Sequence, residues 1–154
     1  MEKSYRLVSS SETQTKNLGK DFGRACRGGE VFLLCGNLGA GKTRFTQGLA
    51  LGLGVKGVVN SPTFNIMKIY PLKGLVLGLC HIDAYRLSSE ADLEAIGAGD
   101  YIKDKKIVTV IEWADKVKKL WPVGAKVLEF KESDDDYREI IVSLVSARPE
   151  AKIR

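Results

Sequence analysis

Between Gly36 and Thr43 the chain reads GNLGAGKT, directly after the apolar run Val31–Cys35. No other stretch limits the possible folds as strongly, because two glycines, a lysine and a hydroxyl residue match G-x-x-x-x-G-K-[ST] at every fixed position, with a third glycine, Gly39, between them. The preceding run, EVFLLC, is too short for a helix and unbroken by polar residues, as expected of a strand covered on both faces in a parallel sheet. Beyond Lys42, the residues Phe45, Leu49 and Leu53 recur at helical spacing, and the pattern ends near Gly52–Gly54. Strand, glycine loop and helix in that order predict a phosphate cradle. Gly39 and Gly41 can take backbone angles closed to other residues, so that the N–H groups from Leu38 through Ala40 to Thr43 converge on phosphate oxygens at a helix N-terminus. Lys42, expected at a loop surface, neutralises the β and γ phosphates, and Thr43 offers its hydroxyl to Mg²⁺.

The remaining chain sorts into elements around this unit. Its 154 residues fit one domain, predicted over 1–147 with a flexible C-terminal tail at 148–154. Ser4–Ser9 alternates like a strand, and Ser11 with Gln14 forms a capping box before a helix whose apolar face is Leu18, Phe22 and Cys26. Residues 63–70 and 75–82 read as strands joined by the turn PLKG, hence an antiparallel hairpin. A short helix is expected at 88–97, a buried strand at 106–113, and two late strands in KVLEFKE and YREIIVSLVS. The fold class is α/β: a mixed sheet of the P-loop NTPase type, with a parallel core and an antiparallel hairpin, flanked by helices.

Cys26, Cys35 and Cys80 are widely spaced without a CxxC pair, which excludes a cysteine-built zinc site and makes them small core residues. No run approaches the ~18 apolar residues of a membrane span, and MEKSYRLVSS lacks a signal-peptide core, so the expected address is cytoplasmic, with no membrane partner. The net charge of +5 gives only mild attraction to phosphates or to an acidic partner.

Binding phosphate is not hydrolysing it; turnover also needs a carboxylate near the metal and water. Glu112 closes IVTVIE, at the strand end where parallel-sheet enzymes place active groups. Asp83, in HIDAYRL, follows the second hairpin strand beside His81, Tyr85 and Arg86. His81, the only histidine, reads either as a base or as a structural residue. Trp113 either shields a ligand or packs in the core. Ser61–Pro62 marks a turn whose hydroxyls could sense a γ-phosphate.

The segments GNLGAGKTRFTQGLALGLGV, SPTF, HIDAYRL, LEAIGAGDYI and IEWADKV follow one another in the order and approximate spacing of the TsaE (YjeE) family. The chain resembles that family from about Ser11 to the YREIIVSLVS strand. The resemblance implies an ATPase of bacterial tRNA threonylcarbamoyladenosine synthesis, with ATP and Mg²⁺ as ligands and weak turnover of its own. It also implies docking onto TsaD and TsaB, which transfer a threonylcarbamoyl group to adenosine 37 of tRNAs reading ANN codons, so that tRNA is met indirectly. By the same resemblance, Thr43 and Glu112 hold the metal, Lys42 the phosphates, Asp83 assists metal or water, Ser61 and Thr63 line the γ-phosphate side, and Thr15 lies near the base. Two departures stand out. Asn37 replaces the family's usual acid, removing a charge close to the γ-phosphate, and Arg44 replaces a usual Thr or Ser, reaching either toward the α-phosphate or to solvent.

Two other readings share the cradle. A GTPase needs an N/T-K-x-D motif, which the chain lacks. A small P-loop kinase needs an acceptor pocket and a lid, and no insertion is clearly long enough. A nucleotide-switched assembly module with negligible turnover differs from an enzyme only in rate.

Overall fold

The computed structural model describes residues 3–37, 39–62, 65–133 and 137–147. Seven strands, β1 (Ser4–Ser9), β2 (Val31–Gly36), β3 (Met67–Pro71), β4 (Gly78–Asp83), β5 (Ile107–Glu112), β6 (Lys126–Glu132) and β7 (Arg138–Leu144), form one sheet. Its order is β1-β7-β6-β2-β5-β4-β3. The four central strands run parallel, while β3 pairs with β4, and β7 with both β6 and β1, antiparallel. The mixed sheet expected from the sequence is therefore present, hairpin included.

Both faces of the sheet are covered. Phe32 and Leu34 of β2 point to one side, against Phe45 and Leu49 of α2 (Lys42–Leu53) and Leu18 and Phe22 of α1 (Glu12–Ala25). Val31 and Leu33 point to the other, where α3 (Glu90–Ala95), α4 (Ala98–Lys103) and a 3-10 segment at Ala114–Leu120 supply Leu93, Ala98, Ile102 and Val117. This two-sided burial is why β2 shows no polar alternation. Cys80 is buried and the half-buried Cys26 and Cys35 pack against the core; burial pushes each thiol up to about 12, so none is a nucleophile.

Two helices carry the loop. Ser11 caps α1 by accepting from the Gln14 N–H at 3.1 Å, and the Gln14 side chain returns to the Ser10 N–H at 2.7 Å, one residue earlier than a standard capping box. α1 then lies almost in backbone contact with α2. A Cβ on Gly48 would stand 1.9 Å from the Lys16 carbonyl oxygen, and one on Gly19 2.1 Å from that of Phe45. This close approach carries Thr15 to within reach of the glycine loop. Beneath the loop, the rings of Phe22, Phe32, Phe45 and Phe130 form a connected cluster with centroids 5.5–6.5 Å apart.

Some boundaries differ from those expected. β3 begins at Met67, because Ile66 takes a left-handed backbone (φ 64°) in a turn closed by its N–H on the Pro62 carbonyl. The helix at 88–97 shortens to α3, and Gly97 (φ 84°) both ends it and starts α4, which the sequence pattern had not indicated. The 3-10 segment after β5 was likewise unforeseen. The tail at 148–154 lies outside the described residues.

Candidate phosphate-binding cleft

The glycine loop leaves β2 at Gly36, whose φ of 149° and whose would-be Cβ, 2.7 Å from the Phe130 carbonyl oxygen, both exclude a side chain. Gly41 (φ 108°) is the N-cap of α2. Gly39 (φ 80°), Gly41, Lys42, Thr43 and Arg44 line a cleft of about 590 Å³. Ala40 is buried under the loop and Asn37 is exposed, its backbone oxygen accepting from the Ala40 N–H. Leu38 and Thr63 lie outside the described residues.

Lys42 is not the surface residue the motif suggested. It is only 5% exposed, its ammonium donates to the carbonyls of Gly36 (2.5 Å) and Asn37 (2.9 Å), and it stands 4.0 Å over the Trp113 ring. Burial holds its pKa below the ordinary lysine value, partly offset by the negative charge of Glu112.

Thr43 opens α2 with its hydroxyl 3.0 Å from Glu112 Oε1 and 3.1 Å from the Ser61 hydroxyl, while Ser61 reaches Glu112 Oε2 at 3.4 Å. Three distant segments thus meet because β2 and β5 are parallel neighbours whose carboxyl ends coincide, Leu34 lying opposite Glu112. Glu112 is 2% exposed and also takes His81 Nε2 at 2.6 Å. Asp83 pairs in register with Glu112 on the adjacent strand and lines the same cleft, with Oδ1 accepting the Tyr85 N–H at 3.0 Å. Trp113, left-handed at φ 58°, both packs and borders the cleft, its ring 4.9 Å from that of Tyr85.

The far end of the cleft is built from α1. Thr15 is buried, its hydroxyl 2.8 Å from that of Ser9, and its methyl group lies against Gly41. Arg44 is half-exposed, paired with Glu12 at 3.5 Å and Gln47 at 3.1 Å, so it lines the rim without extending freely to solvent. Ser9 and Arg138 carry no motif that marks them in the sequence. The latter starts β7 and donates to the Gly39 carbonyl at 3.4 Å, a contact made only by antiparallel return of the chain.

Chemically, the cluster is an all-oxygen set of hydroxyls and carboxylates, suited to a hard cation. No group of three His, Cys, Asp or Glu side chains that could hold a metal occurs among the described residues. Burial raises the Asp83 pKa above 3.8, opposed by its bond from the Tyr85 N–H. A raised folded-state value means that the native protein holds this proton more tightly than the unfolded chain, so ionised Asp83 costs stability at neutral pH and the cost disappears as pH falls. In the metal-free protein, Asp83→Asn is therefore expected to raise the melting temperature by about 1–3 °C at pH 7. The two curves should converge below the ordinary aspartate value of 3.8, measured by thermal denaturation across pH.

A sequence model of the family described as "Threonylcarbamoyl adenosine biosynthesis protein TsaE" matches residues 9–140. The tRNA threonylcarbamoyladenosine biosynthesis protein TsaE of Bacillus subtilis is 39% identical over 146 residues, covering 95% of this chain and 88% of that protein. The protein of the same description from Treponema pallidum is 39% identical over 138 residues, covering 90% and 99%. Among solved structures, the crystal structure of Bacillus subtilis YdiB superposes with a TM-score of 0.78 at 33% identity, covering 98% of this chain and 92% of that one.

Proposed function

Since the chain belongs to the TsaE family and so to tRNA threonylcarbamoyladenosine biosynthesis, we propose that it is the Mg²⁺-dependent, ATP-binding and ATP-hydrolysing component of that machinery. In this reading it acts with TsaD and TsaB in the modification of adenosine 37, in the cytoplasm, and meets tRNA through the complex. The observation that carries the reading is the Thr43–Glu112 contact of 3.0 Å at the N-terminus of α2, inside the cleft lined by Gly39, Gly41 and Lys42.

Each side chain has a task that its position supports. The N-terminus of α2 and Lys42 bind the phosphates. Thr43 and Glu112 hold Mg²⁺, with Asp83 beside them; when bound, the ion neutralises charge on the phosphate oxygens. Asp83, ready to accept a proton because burial disfavours its charge, orients the attacking water. Ser61 faces the γ-phosphate, and Thr15 and Arg44 border the nucleoside end.

The test is ATP hydrolysis by the purified chain, with and without Mg²⁺, alone and with the TsaD–TsaB pair. Turnover that is slow alone and stimulated by the pair supports the proposal; tight ATP binding with no turnover in either mixture makes the chain an assembly switch. Asn37 gives a smaller check. Because its side chain is exposed and absent from the cleft lining, Asn37→Asp adds a charge screened by water. It is expected to change ATP affinity less than about threefold, even at low Mg²⁺, in a calorimetric titration.

A further inference from the structure

We propose that His81 is a positioning residue, an imidazole that fixes the orientation of the Glu112 carboxylate and so the Thr43–Glu112 pair; its role in turnover rests on the ATPase reading above. His81 lies on β4 opposite Val110 of β5, two residues before the Asp83–Glu112 pair. It is wholly buried, and it is absent from the cleft lining, so it meets no substrate. Its Nε2 meets Glu112 Oε2 at 2.6 Å, closer than Glu112 stands to either Thr43 or Ser61.

The other bonds leave Glu112 under-restrained. Among the described residues, Oε1 takes the Thr43 hydroxyl at 3.0 Å, whereas Oε2, without His81, keeps the Ser61 hydroxyl at 3.4 Å. A carboxylate held through one oxygen swings about its last torsion. The second ring nitrogen argues in the same direction. Nδ1 is buried with no hydrogen-bond partner among the described residues. A neutral ring with its hydrogen on Nε2 leaves only a lone pair unmet, whereas an Nδ1–H would bury a donor without an acceptor. The ring is thus an Nε2–H donor aimed at Glu112. For packing alone, leucine would fill a similar volume without an unsatisfied nitrogen, so the imidazole is explained by the carboxylate it holds.

The chain has a single histidine, so its nitrogen NMR spectrum is unambiguous. The metal-free protein should show a neutral ring protonated at Nε2, with a signal that shifts markedly in Glu112→Gln. His81→Leu should raise the Mg²⁺ concentration for half-maximal binding of a fluorescent ATP analogue by about tenfold. It should also lower kcat by about tenfold or more, leaving the KM for ATP within about twofold. His81→Gln, which keeps an N–H at similar reach, should remain within about threefold of wild type in both readouts. Wild-type behaviour of His81→Leu overturns the proposal. Equal losses in both variants, accompanied by equal falls in melting temperature, also overturn it, because the ring would then serve packing only. A wild-type chain that hydrolyses no ATP removes the ATPase reading instead. The positioning role is then decided by the spectrum, and an Nε2 without a proton, or one indifferent to Glu112→Gln, overturns it.

Discussion

Lys42→Ala is expected to weaken Mg²⁺-ATP binding by about a hundredfold to a thousandfold. Charge-assisted hydrogen bonds contribute roughly 1.5–3 kcal/mol each, and an ammonium serving two phosphate oxygens supplies about 3–4 kcal/mol. Two cations at the cleft are already engaged: Arg44 with Glu12 and Gln47, and Arg138 with the Gly39 carbonyl. The fold should survive. Alanine leaves the Gly36 and Asn37 carbonyls without their ammonium partner, but Asn37 keeps the Ala40 N–H, and the variant no longer carries a desolvated cation. These effects oppose each other, so the melting temperature should move by no more than about 3 °C. Calorimetric titration with ATP, paired with thermal denaturation, checks both halves. Wild-type affinity in a folded variant would remove Lys42 from the phosphate cradle.

That buried lysine also shows where reading the sequence stops being sufficient. The strand, loop and helix around Gly36–Thr43 were legible because every local signal agreed: an apolar run of strand length, glycines where φ is positive, and helical spacing after Lys42. Glu112 was legible as a carboxylate at the end of a buried strand. What was not legible depends on which strands are neighbours. His81 meets Glu112 only because β4 lies beside β5, and nothing in HIDAYRL says so. Lys42 is enclosed because Trp113, next to Glu112, turns its ring across the ammonium. Thr15 reaches the loop because glycines on α1 and α2 let two helices approach to backbone contact, a pairing invisible in either helix alone. The short helix α4 and the 3-10 segment were missed for another reason. Each spans one or two turns and is held by packing of Ala98, Ile102 and Val117 under the sheet, so its periodicity is too brief to stand out.

Glu112→Gln should separate binding from turnover. The substitution keeps the volume and one oxygen, so that Thr43 can still donate, and ATP affinity at saturating Mg²⁺ should remain within about threefold. Hydrolysis should fall by about a hundredfold or more, because a charge placed for the transition state is worth roughly 2.7–4 kcal/mol at such sites. The amide also cannot satisfy its surroundings. If its NH₂ faces the His81 Nε2–H, donor meets donor; if it faces Thr43, that hydroxyl loses its carboxylate acceptor. A second consequence follows for Lys42. Burial lowers its pKa and the Glu112 charge is the largest influence raising it, so neutralising Glu112 leaves burial less opposed and Lys42 sheds its proton at lower pH. Nucleotide affinity, which needs the ammonium, should then decline at lower alkaline pH in the variant than in wild type. ATP titrations from about pH 7 to 10 together with single-turnover rates would measure both effects. Superimposable affinity profiles would mean that Glu112 and Lys42 do not share one electrostatic site, and an unchanged rate would leave Glu112 a structural acid.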